Sequence, residues 1–204
     1  MRSPTDAINS YVTYMLSLEE HIDKAVKGQI KDLKDYPEVI AELRMLQRGV
    51  HHHLEDLKQL RERRGGATAT DAIKRAGSSI LGLAAGAIDL VRNEGLPKNL
   101  RDDYTAFSLA GVGYVMLQTT ALALGDQEVA DLANQHLRDN TKAVIRLNNI
   151  IPPAVVRFLQ QEGLSARPDV LQDVNRNVTE AWRLGESEQG GTAGEATIQG
   201  TLSR

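Results

Sequence analysis

The sequence predicts an all-α protein: a bundle of four long helices, with a further helical segment between the second and third and a short helix near the end. Three observations carry that expectation. Apolar residues recur at steps of three and four, the period of a helix with one buried face. Proline and glycine punctuate the chain at Tyr36-Pro37, Gly65-Gly66, Gly95-Leu96-Pro97 and Gly125-Asp126. No stretch alternates in the period of a strand, and no internal repeat is visible. With 204 residues, 41% of them hydrophobic, the chain is long enough to bury one real core.

In the first helix, about residues 6 to 34, Ser3 or Thr5 with Pro4 and Asp6 makes the start. Ile8, Tyr11, Met15, Leu18, Ile22 and Val26 form its apolar stripe. Tyr36-Pro37 breaks it, because a residue before proline is pushed out of helical geometry. The second helix, about Pro37 to Arg64, carries Val39, Leu43, Leu46, Val50, His53, Leu57 and Leu60 on one stripe. His53 thus stands where an apolar residue is expected. A Gly- and Ala-rich segment, about Asp71 to Asn93, follows.

The third long helix, about Asn99 to Leu124, holds no charged residue from Tyr104 to Gly125. That stretch is long enough to span a bilayer. It carries Thr105, Ser108, Gln118, Thr119 and Thr120 and lacks flanking Trp or Lys/Arg belts, so the expectation is a helix buried all round within a bundle. The fourth runs to about Ile150, where Pro152-Pro153 bends or ends it. A short helix beginning near Pro168 closes a bundle domain of residues 1–184. Residues 185–204 read as a disordered polar tail.

Composition excludes several function classes. Without cysteine there is no disulfide, zinc knuckle, iron–sulfur centre or thiol nucleophile. A net charge of −3, with 24 basic and 27 acidic residues intermixed, leaves no nucleic-acid footprint. The polar N-terminus does not read as a secretory signal, and the expected location is the cytoplasm, without a membrane partner. Gly-x-Ser-x-Gly is absent, and Gly82-x-x-x-Gly86 lacks the sequence of a phosphate loop. The triple His51-His52-His53 cannot converge on one ion, since consecutive helical residues point about 100° apart. Two of these imidazoles are expected in solvent and one buried. Arg61-Glu62-Arg63-Arg64 reads as a helix C-terminus complementing its dipole.

Met15-Leu16-Ser17-Leu18-Glu19-Glu20-His21-Ile22, His51-His52-His53-Leu54-Glu55-Asp56-Leu57, Asp102-Asp103-Tyr104 and Ala121-Leu122-Ala123-Leu124-Gly125-Asp126 together resemble the ferritin-like superfamily, in its stress-associated bacterial branch. The resemblance covers about residues 6 to 150. It implies a di-iron site, with a Glu on each of two helices and a Glu-x-x-His pair on each of the others. The sequence meets that requirement only in part. Glu19 stands for the first-helix ligand and His53 for a second, but Val50 replaces the Glu three residues before His53. The third helix offers no carboxylate or His from Tyr104 to Gly125, and on the fourth His136 and Asp139 come in reversed order. The expected inward stripe of that helix is Ala130, Ala133, Leu137, Asn140, Val144, Leu147 and Ile151.

Two readings follow. In the leading one the protein is a non-catalytic, stress-related bundle acting by assembly or partner binding, as a homo-oligomer without a cofactor. Glu19, His53, Tyr114, Gln118 and Asn140 would then form a buried polar network fixing helix register. In the alternative, a reduced site of Glu19, His53, His136 and Asp139 holds or oxidises iron, or binds manganese. The tail carries its own expectation. Residues 196–204, with Ile198, Gly200, Leu202 and Arg204, resemble the docking peptides of encapsulin cargo proteins, which implies an encapsulin shell as partner. Gln199 separates Ile198 from Gly200, where that pattern has them adjacent.

Overall fold

A computed structural model describes residues 3–64 and 95–189. These form five helices and no strand: α1 Pro4–Asp32, α2 Pro37–Arg63, α3 Leu96–Ala123, α4 Gln127–Gln161 and α5 Val170–Gln189. Two compact units divide the chain, Met1–Phe158 with the bundle and Leu159–Arg204 with α5. The expected segment between the second and third long helices, and the tail residues Ile198, Gly200, Leu202 and Arg204, lie outside the described residues.

Local chemistry sets the helix ends. Ser3 caps α1: its hydroxyl accepts from the Asp6 amide while the Asp6 carboxylate accepts from the Ser3 amide. Pro37 opens α2 at a position where its missing N–H costs nothing. Gly95 precedes α3 at φ 83°, and a Cβ there would lie 2.7 Å from the Phe158 ring. That entry needs glycine on both counts.

Cross-helix pairs fix the topology. Glu19 meets His53 and Asp23 meets Gln47, so α1 and α2 are antiparallel. Gln29 meets Asp103 and Glu19 meets Tyr114, so α1 and α3 are antiparallel too. On the far side α2 runs against α4 through Glu42–Arg146, Asp56–His136 and Arg63–Glu128. Consequently α2 and α3 point the same way. Arg64 locks one end, binding both Asp126 and Glu128. At the other end Arg157 pairs with Glu38 and lies over the Tyr36 ring.

The core lies between these helices, built on Met15, Leu16, Ile22, Leu43, Leu57, Leu100, Tyr114, Leu117 and Leu147, all under 2% exposed. α1 and α3 approach closely at Gly113, where a Cβ would come within 2.5 Å of Met15 Sδ.

Two expectations need correction. α3 is not buried all round. Phe107, Ala110, Tyr114, Leu117 and Ala121 face the core, but Leu109, Val112, Val115, Met116 and Leu122 are exposed. Absence of charge made both faces look alike in the sequence. Among the described residues α3 is the one helix long and apolar enough to cross a membrane, by length and composition. The second correction concerns Pro152-Pro153, which do not end α4: it runs eleven residues past Ile150, to Gln161. The carbonyls deprived of amide donors belong to Asn148 and Asn149, which reach the surface, where water can serve them.

Within its own unit α5 is amphipathic in sequence, yet Val174, Trp182 and Leu184 are exposed. It continues past Gly185, where the tail was expected to begin.

Candidate functional site: a polar centre in the bundle

At mid-bundle α1, α2, α3 and α4 each send polar side chains inward. Glu19 is 1% exposed and its Oε1 accepts from two partners, the Tyr114 hydroxyl at 2.7 Å and His53 Nδ1 at 3.1 Å. A carboxylate only accepts, so Nδ1 of His53 carries a proton and donates it to Glu19. The His136 ring stacks on His53, centroids 4.1 Å apart, and both rings meet Tyr114 edge-on. His136 Nε2 in turn donates to Asp56 Oδ2 at 3.1 Å.

This electrostatic setting keeps His136 neutral. Burial, and then the neighbouring His53, push its pKa down to about 4 against the opposing pull of Asp56. The Tyr114 hydroxyl is pushed well above its usual range by burial first and the Glu19 charge second. It therefore acts as a fixed donor.

Of the sequence-derived residues, the structure brings together Glu19, His53, Tyr114 and His136. Asp139 lies beside them with Oδ2 4.0 Å from His53 Nε2. Asn140 is buried and donates to the His136 carbonyl at 3.4 Å. Gln118 takes no part in these bonds. As expected, His51 and His52 are exposed and His53 is buried. Sequence reasoning missed Asp56 as the partner of His136. Its signal was available: Asp56 lies one helical turn after His53, on a neighbouring face. The inward stripe of α4 also runs through His136, Asn140, Ala143 and Leu147 rather than through Leu137 and Val144.

A second polar pair lies nearer the bundle end. Gln29 Nε2 donates to Asp103 Oδ1 at 2.8 Å, both residues being buried. Asp103 Oδ2 and Gln29 Oε1 have no partner. Burial pushes the Asp103 carboxyl up to about 7; the Gln29 bond opposes this and the Asp102 charge adds to it.

The residues present do not fit a pair of metal ions. Two ions need bridging carboxylates from facing helices. Glu19 has its near oxygen taken by two donors, and α3 faces it with a tyrosine. Asp56 is spent on His136. Among the described residues no group of three or more His, Cys, Asp or Glu side chains could hold a metal ion.

This geometry defines the class: a four-helix bundle whose paired helices run antiparallel around a hydrogen-bonded polar centre. No protein-family model matches the sequence, and no curated protein does. Among solved structures the chain is similar to the crystal structure of the E. coli stress protein YciF, with a TM-score of 0.61 at 15% identity. The match covers 76% of this chain and 98% of that one. It shows a shared fold.

Proposed function

We propose that the protein is a non-catalytic, stress-related bundle of the cytoplasm that works by self-association through the outer face of α3. The observation that carries this is the apolar stripe Leu109, Val112, Val115, Met116 and Leu122, exposed along one side of a buried helix. Apolar faces of that kind mark interaction sites. The hydroxyls of Thr105, Thr119 and Thr120 donate to carbonyls four residues back, so this side needs little from solvent. With no charge from Tyr104 to Gly125, nothing selects an oppositely charged partner. An uncharged stripe about 30 Å long complements itself across a twofold axis, and a second copy of the chain is the partner it fits. The stress assignment draws its support from the shared fold with a stress protein. The polar centre, with Glu19 engaged by Tyr114 and His53, then serves helix register rather than oxidation chemistry.

The test is light scattering on the full chain and on Val112→Lys/Met116→Lys. Both positions are exposed, so the folded chain tolerates lysine there. A dimer that becomes a monomer supports the reading. Equal oligomeric states in both proteins, monomeric or not, overturn it.

A further inference from the structure

We infer that the pocket between α2 and α4 binds a small uncharged molecule carrying a primary amide on a short aliphatic body, the amide meeting Asn140 Oδ1 and His53 Nε2. This goes beyond the association reading, and neither depends on the other.

The pocket has a volume of ≈ 90 Å³ and reaches inward from α2 and α4 as far as Phe107 of α3. That is several times the space one water needs, and less than the roughly 150 Å³ that takes benzene. The volume limits the buried body to a few carbons. Leu46, Val50, Phe107 and Ala143 give it an apolar wall, all of them buried. Gly49 keeps one side open, since a Cβ there would meet nothing within 4 Å. An apolar wall with few polar groups is the usual make-up of a small-molecule site.

Two polar atoms in that wall have no hydrogen-bond partner, His53 Nε2 and Asn140 Oδ1. Their side chains belong to residues 3% and 2% exposed. Asn140 turns its amide nitrogen to the His136 carbonyl, so only its oxygen, an acceptor, is left for a ligand. Leaving such atoms unmatched is costly, and a ligand that matches them recovers that cost.

Charge narrows the class. Lys142 and Arg146 stand at the mouth, but Lys142 is paired with Asp139 at 2.8 Å and Arg146 with Glu42 at 3.1 Å. An anion finds no free cation there, and its lone pairs would oppose Asn140 Oδ1. An ammonium finds no free carboxylate. A neutral donor group is what fits. A primary amide serves both atoms in either state of the imidazole. Its two N–H groups donate to Asn140 Oδ1 and to a bare Nε2, or its carbonyl accepts from a protonated Nε2. A hydroxyl, with one proton to give, serves only one of them when Nε2 is bare.

The experiment is a titration of isobutyramide into isotope-labelled full chain, followed by the backbone amide NMR signals of Val50, Asn140 and Ala143. These should move together and saturate in the millimolar range, as suits so small a ligand. Isobutyrate has the same shape without the donors and should bind at least about tenfold more weakly. Asn140→Leu should weaken isobutyramide about tenfold, because one amide N–H is left without an acceptor. Ala143→Leu, and Gly49→Leu from the open side, should each fill the pocket and abolish binding. No saturable shift with isobutyramide overturns the site, as does wild-type affinity in all three variants. Isobutyrate binding as tightly as the amide, or more tightly, overturns the amide assignment and makes Lys142 and Arg146 the attracting groups.

Discussion

Two buried carboxyl groups lie on the α1–α3 interface about three helical turns apart, and they differ in the number of donors around each. Glu19 at mid-bundle receives two hydrogen bonds on one oxygen, from Tyr114 and His53. Asp103, nearer the end, receives one amide bond from Gln29 and leaves Oδ2 and Gln29 Oε1 both without a donor. For Asp103 the cost of burial therefore wins, and its pKa rises to about 7. A proton there supplies the donor that the two orphaned acceptors lack.

The largest expected effect is at the two-donor site. Glu19→Ala leaves the Tyr114 hydroxyl and His53 Nδ1–H buried without an acceptor. Breaking such a cluster from one side costs about 3–5 kcal/mol, read as a lowered midpoint in urea titration at pH 7 in the presence of chelator. His53→Leu at the same site should cost far less, because it removes a polar group instead of stranding one. Equal small losses for both would remove the distinction between the two regions.

Asp103→Asn should act in the opposite direction, and its effect should depend on pH. The folded-state pKa of about 7 lies above the ordinary 3.8. Over that interval the native protein holds a proton that the unfolded chain has released. Stability therefore falls as pH rises from about 4 to about 7. His136 contributes the reverse slope: held neutral down to about 4, it costs stability as pH drops below 6.5. Asn at 103 keeps an acceptor for Gln29 Nε2, adds a donor for Gln29 Oε1 and carries no charge. The variant should gain about 2 kcal/mol over wild type at pH 8 relative to pH 4, an attenuated share of the full shift. Parallel stability–pH curves for the two proteins would show that Asp103 does not titrate on unfolding.

The two regions also differed in how far they could be read from sequence. Glu19 and His53 interrupt regular apolar stripes, so their inward positions were legible from spacing alone. His136 and Asp56 were not, because a shift of one residue in the assumed stripe of α4 exchanges His136 for Leu137. Asp103 looked like one more acidic residue at a helix start. Only the packing of Gln29 across from it, 74 positions away, makes it buried. The helices themselves followed from periodicity, since α1 and α2 have one apolar and one charged face. On α3 that contrast is missing, and which side meets α1 depends on Gly113 admitting Met15, a tertiary fact.

The smallest effect sharpens the comparison most. Tyr114→Phe keeps the ring, which packs edge-on against His53 and His136, and removes only the hydroxyl. Glu19 is left with one donor, the situation of Asp103. The loss should be about 1 kcal/mol, the net worth of one buried hydrogen bond, read as a lowered midpoint in urea titration. If the second donor matters to Glu19, Tyr114→Phe must be less stable than wild type. Equal midpoints would mean that His53 alone suffices for Glu19, and that the contrast with Asp103 comes from something other than the second donor.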